Sequence, residues 1–235
     1  GSEMCIRDRI TDVTLLRIHG HYTGPTFPTG DRQARQIDIY PEFNTPGRIT
    51  APQAGAALRA LYVEIHTDEG VSGFFGPIED WQAFHIEHSL RTYLIGRDPL
   101  ATELLYDQMI RQDRHGRSGL FMTAVSAVDC ALWDLKGKAW QQPVYRLLGN
   151  KVRDWCPISW WAMDMPPEDW AQQCRDALAQ GYTSAKLKAR TWHDLHAALQ
   201  AVFEATPPQF ILDLDFNGTL DNAANAVKFL STLES

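Results

Sequence analysis

From Val152 onward the chain repeats a strand-like run, a helix-like run and a break about every 27 residues, the length of a short βα unit. The expected strands are Cys156–Ala162, Thr183–Ala189 and Phe210–Asp215, and the expected helices Pro167–Ala179, Trp192–Glu204 and Leu220–Leu233. Strands separated by a helix pair in parallel, so this part of the chain predicts a parallel sheet with helices packed on it. The punctuation agrees. Gly181 falls just past the first helix, where a C-terminal cap belongs, and Pro207-Pro208 stops the second.

The polar residues of these strands are not scattered. Along a strand, residues two apart share a face, so Lys186 and Lys188 point the same way, as do Asp213, Asp215 and Asn217 on the next strand. Both sets sit at the downstream ends of their strands, and open parallel sheets bind ligands beyond those ends. A Lys-x-Lys alone reads as a hydrated surface strand. Opposite a carboxylate cluster one βα unit away, it reads as a site. Asp213, one step deeper than Asp215, is expected to be a buried partner of a lysine.

The first half has a different period. Ile10–Ile18 alternates as a strand, and Leu58–Thr67 with Val71–Gly76 forms a hairpin around Asp68-Glu69-Gly70. Gly20–Pro52 lies between, long enough to suggest a functional lid carrying His19, His21, Tyr22 and Arg48 at or near its start and end. Helical spacing follows over Glu79–Ile95, over Pro99–Arg111 with Asp98-Pro99 as its start, and over Gly119–Leu135. That last helix is apolar nearly all round, so it is expected to be buried with Cys130 in the core, and its Asp129 and Asp134 need partners. Gly1–Arg9 is set aside as a leader foreign to the fold. The expected divisions are 1–9, an α+β domain over 10–150, and an α/β domain over 151–235.

Composition narrows the function. A net charge of −7 offers no basic stripe for a phosphate backbone, which argues against nucleic acid, and no apolar run approaches a membrane span. Cys5, Cys130, Cys156 and Cys174 lack metal or disulfide spacing, which suits the cytoplasm.

Lys186-Leu187-Lys188, Asp215-Phe216-Asn217 with Gly218, and the run AVSAVDCALWDLKGKAWQQPVYRLLG over 124–149 together resemble the mandelate racemase and muconate-lactonizing branch of the enolase superfamily. The resemblance implies an N-terminal capping domain joined to a TIM (β/α)8 barrel, of which only the first three units are visible. About 85 residues follow Lys151, whereas eight units would need about 220, so the chain is expected to be C-terminally truncated, with further metal carboxylates beyond Ser235. Asp129, Trp133 and Asp134 are expected to be structural.

The implied chemistry is removal of the proton α to a carboxylate, the enediolate being stabilised by Mg²⁺. Asp215 would bind the metal and Lys188 would be the base, the neighbouring Lys186 and metal disfavouring a second ammonium there. Lys186 would hold the substrate carboxylate, and Asn217, His21 and Tyr22 would contact the substrate. An acid-sugar dehydratase comes first, with a racemase, epimerase or cycloisomerase as alternatives. The full-length protein is expected to be a homo-oligomer. The rival class is an inactive fragment that serves only as a folding or association module.

Overall fold

The structure, a computed structural model, describes residues 8–24, 34–43 and 53–233. It divides into two compact units, Gly1–His21 with Ala57–Asp154, and Tyr22–Ala56 with Trp155–Ser235.

In the first unit, β1 (Ile10–His21), β2 (Ala57–Thr67) and β3 (Ser72–Ile78) form an antiparallel sheet in that order. The β2–β3 turn carries Gly70 at φ +79°, a left-handed conformation that glycine adopts without penalty. β1 is longer than its alternating pattern predicts. Its ladder with β2 continues through His19, Gly20 and His21, whose outer positions are exposed and carry no apolar signal.

The helical layer begins with α1 (Asp80–His85), which runs through one wider turn over Ile86–Leu90 into α2 (Arg91–Leu94). α3 spans Thr102–Ile110 and α4 spans Gly119–Ala139, followed by α5 (Val144–Leu148). Asp98 does not start α3; its carboxylate accepts from the Leu100 amide, closing a turn that delays the helix to Thr102. One core joins sheet and helices through Ile10, Val63, Ile65, Ile86, Leu90, Met109, Ala124, Val128, Leu132 and Leu135. α4 approaches β3 so closely that Gly73 has no room for a side chain: a Cβ there would stand 2.0 Å from the Ala131 carbonyl.

Of the acids in α4, Asp134 accepts from the Phe74 amide at 2.8 Å and from Lys138, so it joins helix to strand. Half-burial pushes the Asp129 carboxyl above its ordinary value. Cys130 corrects the sequence reading. It lies on the exposed side of α4, because the helix buries its Ala124, Ala127, Val128 and Ala131 stripe and leaves the opposite face open. Asp8 and Arg9, set aside with the leader, also belong to the fold. Asp8 is buried, and Arg9 exchanges hydrogen bonds with Asp68.

The second unit contains β4 (Trp160–Ala162), α6 (Pro167–Ala179), β5 (Ser184–Leu187), α7 (Leu195–Ala205), β6 (Ile211–Leu214) and α8 (Ala223–Leu230). The strands pair in parallel in the order β4–β5–β6. Gly181 takes φ +87° after α6, as its capping role requires. Asp194 and Asn222 cap α7 and α8 with their side chains. β4 is shorter than expected, keeping only the three residues that pair with Ala185–Leu187 of β5. Ala185 and Leu187 point to the helices and pack in a core with Trp170, Cys174, Leu195 and Val202. Burial there pushes the Cys174 thiol up to about 11.

Residues 34–43 dock on this same unit through a 3₁₀ turn at Gln36–Ile39. Residues 25–33 and 44–52 of the expected lid, Arg48 among them, lie outside the described residues. Among the described residues, no helix is long and apolar enough to cross a membrane.

Candidate active site

The sheet positions the polar cluster by register. Lys186 pairs with Asp213 and Leu187 with Leu214, and the ladder runs on past the strands, with the Lys188 amide donating to the Ala162 carbonyl and the Ala189 amide to the Asp215 carbonyl. Because Ala185 and Leu187 are committed to the helix side, Lys186 and Lys188 must emerge on the other face. There both ammonium groups reach one carboxylate oxygen. Lys186 Nζ lies 2.8 Å and Lys188 Nζ 2.9 Å from Asp215 Oδ2.

Lys188 also donates to Asn217 Oδ1 at 2.9 Å and stands 6.0 Å from the ring centre of Trp161. It is nearly buried, while the Lys186 side chain keeps 43% of its surface. Hydrogen bonds from Lys186 first, and then from Lys188, hold the Asp215 carboxyl well below the ordinary carboxylate range. Asn217 sits at φ +49° and Gly218 at φ +78°, a turn closed by the Asn217 amide donating to Asp215 Oδ1. The turn swings the Asn217 side chain back over the strand end, where its oxygen can meet Lys188.

Asp213 departs from expectation. It is exposed, and among the described residues it makes no ion pair with either lysine, because their side chains lean toward the strand end and Asp215. His21 is the exposed last residue of β1, in the first unit. Tyr22 is half-buried and tied by its backbone to Gly55 and Ala56.

Two residues that the sequence reading did not single out complete the cluster. Arg190 is fully buried; it donates to the Asp215 carbonyl at 2.9 Å and to Asn217 Oδ1 at 3.1 Å. Its Nε lies 2.9 Å from Oδ1 of Asp164, itself buried past the end of β4. The signal for Arg190 was the continued two-residue step from Lys186 and Lys188. Asp164 gave none.

The chain is similar to known proteins. Residues 43–149 match the mandelate racemase / muconate lactonizing enzyme N-terminal domain. A D-galactonate dehydratase of Xanthomonas oryzae pv. oryzae (strain PXO99A) is 33% identical over 169 residues, 71% of this chain and 44% of that protein. The chain carries the N-terminal domain of the mandelate racemase and muconate-lactonizing family of the enolase superfamily. Its fold is shared with an N-succinyl Arg/Lys racemase from Bacillus cereus ATCC 14579, at 23% identity and a TM-score of 0.70 over 96% of this chain and 56% of that one. It is shared too with the 3,6-anhydro-D-galactonate cycloisomerase from Zobellia galactanivorans, at 22% identity and a TM-score of 0.67 over 94% of this chain and 56% of that one. The chain spans about half the length of the relatives it matches. Its fold class is therefore that family's N-terminal α+β domain followed by three βα units of an incomplete barrel.

Magnesium is the metal that enolase-superfamily members generally use. Asp215 fits as one ligand: a hard oxygen donor, ionised at any working pH, at a strand end. Among the described residues no group of three or more His, Cys, Asp or Glu completes a site around it.

Proposed function

We propose that the complete protein is an acid-sugar dehydratase that removes the proton α to its substrate's carboxylate. The observation that carries this reading is the convergence of Lys186 and Lys188 on Asp215 at the carboxyl ends of β5 and β6. The dehydratase relative favours a hydroxylated acid as the substrate class.

Lys186, the more exposed lysine, would bind the substrate carboxylate as a cation. Lys188 would be the base. A neutral amine has two N–H bonds and one lone pair, and Asp215 Oδ2 with Asn217 Oδ1 accept two hydrogens, leaving the lone pair for the α-proton. Asp215 would hold Mg²⁺, which supplies Lewis-acid stabilisation of the enediolate charge. Departure of the β-hydroxyl as water, with a proton from a general acid, then gives an enol that tautomerises to a 2-keto-3-deoxy acid. His21 and Tyr22 remain proposed substrate contacts. The three described cysteines are free thiols, which suits a cytoplasmic protein; a homo-oligomeric state for the complete protein is part of the same proposal.

The test is Lys188→Ala in a chain extended to the length of its relatives. Exchange of the substrate α-proton with solvent deuterium should fall by a factor of about 10² to 10⁴. Normal exchange with every competent acid sugar would remove Lys188 from the base's role. Lys186→Ala should weaken substrate binding as well as turnover.

A further inference from the structure

Arg190 has no role in the chemistry above, yet it is fully buried and its guanidinium is spread over groups from three parts of the unit. Nη1 donates to the Ala189 and Asp215 carbonyls, Nη2 to Asn217 Oδ1, and Nε faces Asp164 Oδ1. The other oxygen of Asp164 accepts the backbone amide of Ala34, 130 residues earlier in the chain. A second tie joins the same regions: Gln36 Nε2 donates to the Asn217 carbonyl at 3.0 Å. The docked segment is thus connected to Asn217 both directly and through the buried pair Asp164–Arg190.

We propose that Arg190 is a positioning residue that couples the docking of residues 34–43 to the orientation of the Asn217 side chain. The physical basis is the fork. A planar guanidinium presents fixed donors, so its hold on Asp164 fixes the donor offered to Asn217. Asn217 could turn its amide either way; with Arg190 and Lys188 both donating to it, the oxygen must face them, and its Nδ2 faces Asp215 Oδ2 at 3.3 Å. Release of the 34–43 segment would leave Asp164 short of a donor in a buried place, shift its hold on Arg190 and loosen Asn217. The consequence for turnover rests on the function proposed above. The coupling itself does not.

Each variant is therefore read at a group it does not touch, in this chain. Arg190→Met should speed hydrogen exchange of the Ala34 amide by a factor of about 10 to 100, the effect of losing a hydrogen bond to a charged partner. Asp164→Asn should shift the side-chain amide resonances of Asn217. Ala198→Gly on α7, which should lose stability without touching the cluster, should leave both signals in place. If Arg190→Met does not fold, Asp164→Asn decides alone through the Asn217 resonances. Unchanged remote signals in a folded variant, or equal changes in Ala198→Gly, would overturn the coupling whether or not Lys188 proves to be the base.

Discussion

Asp215, Asn217 and Gly218 show how much the site depends on backbone that only some residues tolerate. Gly218 is held at φ +78°, and a Cβ there would meet Gln36 Nε2 at 2.8 Å. The neighbour is the end of a flexible side chain and can move, so the cost of Gly218→Ala is mainly conformational. We expect a loss of about 1 kcal/mol in stability, measured by urea unfolding, together with loosening of Gln36 from Asn217. A loss several times larger would mean that Gln36 cannot move. At this scale the sequence was legible where side-chain direction follows the two-residue step of a strand: Lys186, Lys188, Asp215 and Asn217 do converge. Arg190 and Asp164 were not, because a buried ion pair is made by residues distant in sequence, and nothing local to Asp164 marks its partner.

Elements were legible in kind and order, less so in extent. α6 spans the residues that its apolar spacing and capping glycine predict, whereas β4 keeps only Trp160–Ala162 of a longer expected run. Strand length depends on what the neighbour offers, which one strand's own sequence does not encode. The packing of α4 on β3 gives a sharp prediction. Gly73→Ala would drive a methyl group into helix backbone that cannot yield, with Leu135 Cβ one turn on at 2.7 Å. Overpacking of this kind costs about 1–3 kcal/mol or more, and here denaturant unfolding should fall at the upper end. Another joint, β1 to α2, is electrostatic. Arg91 donates to Asp12 through Nε and Nη2, and holds its carboxyl below the ordinary range. A lowered folded-state pKa stabilises above the unfolded value of about 3.9 and is lost as pH falls. The gap in unfolding midpoint between the parent and Asp12→Asn should therefore be widest near neutrality and close below that pH. The gap will be small, since both side chains are about 40% exposed.

At the scale of the molecule, the chain order and the spatial order differ. Tyr22–Ala56 groups with Trp155–Ser235 rather than with the strands on either side of it, a division that no local pattern announces because it is set by docking at Ala34 and Gln36. The parallel sheet carries the larger consequence. β5 is paired on both sides, but β4 and β6 each have one edge without a strand partner among the described residues. Trp161 on β4, Ile211 on β6 and Val227 on α8 are exposed apolar residues nearby. Unpaired edges with apolar side chains template pairing between copies. This chain should therefore associate as its concentration rises, seen as growth in the mass measured by light scattering, through the sheet of the second unit. Ile211→Lys sets a charge beside the β6 edge while leaving both cores intact, because Ile211 is exposed and belongs to neither; it lies on the cluster's face of β6, four residues before Asp215. It should restore a constant mass over the same range. Association undiminished by Ile211→Lys would place the contact elsewhere and free the sheet of blame.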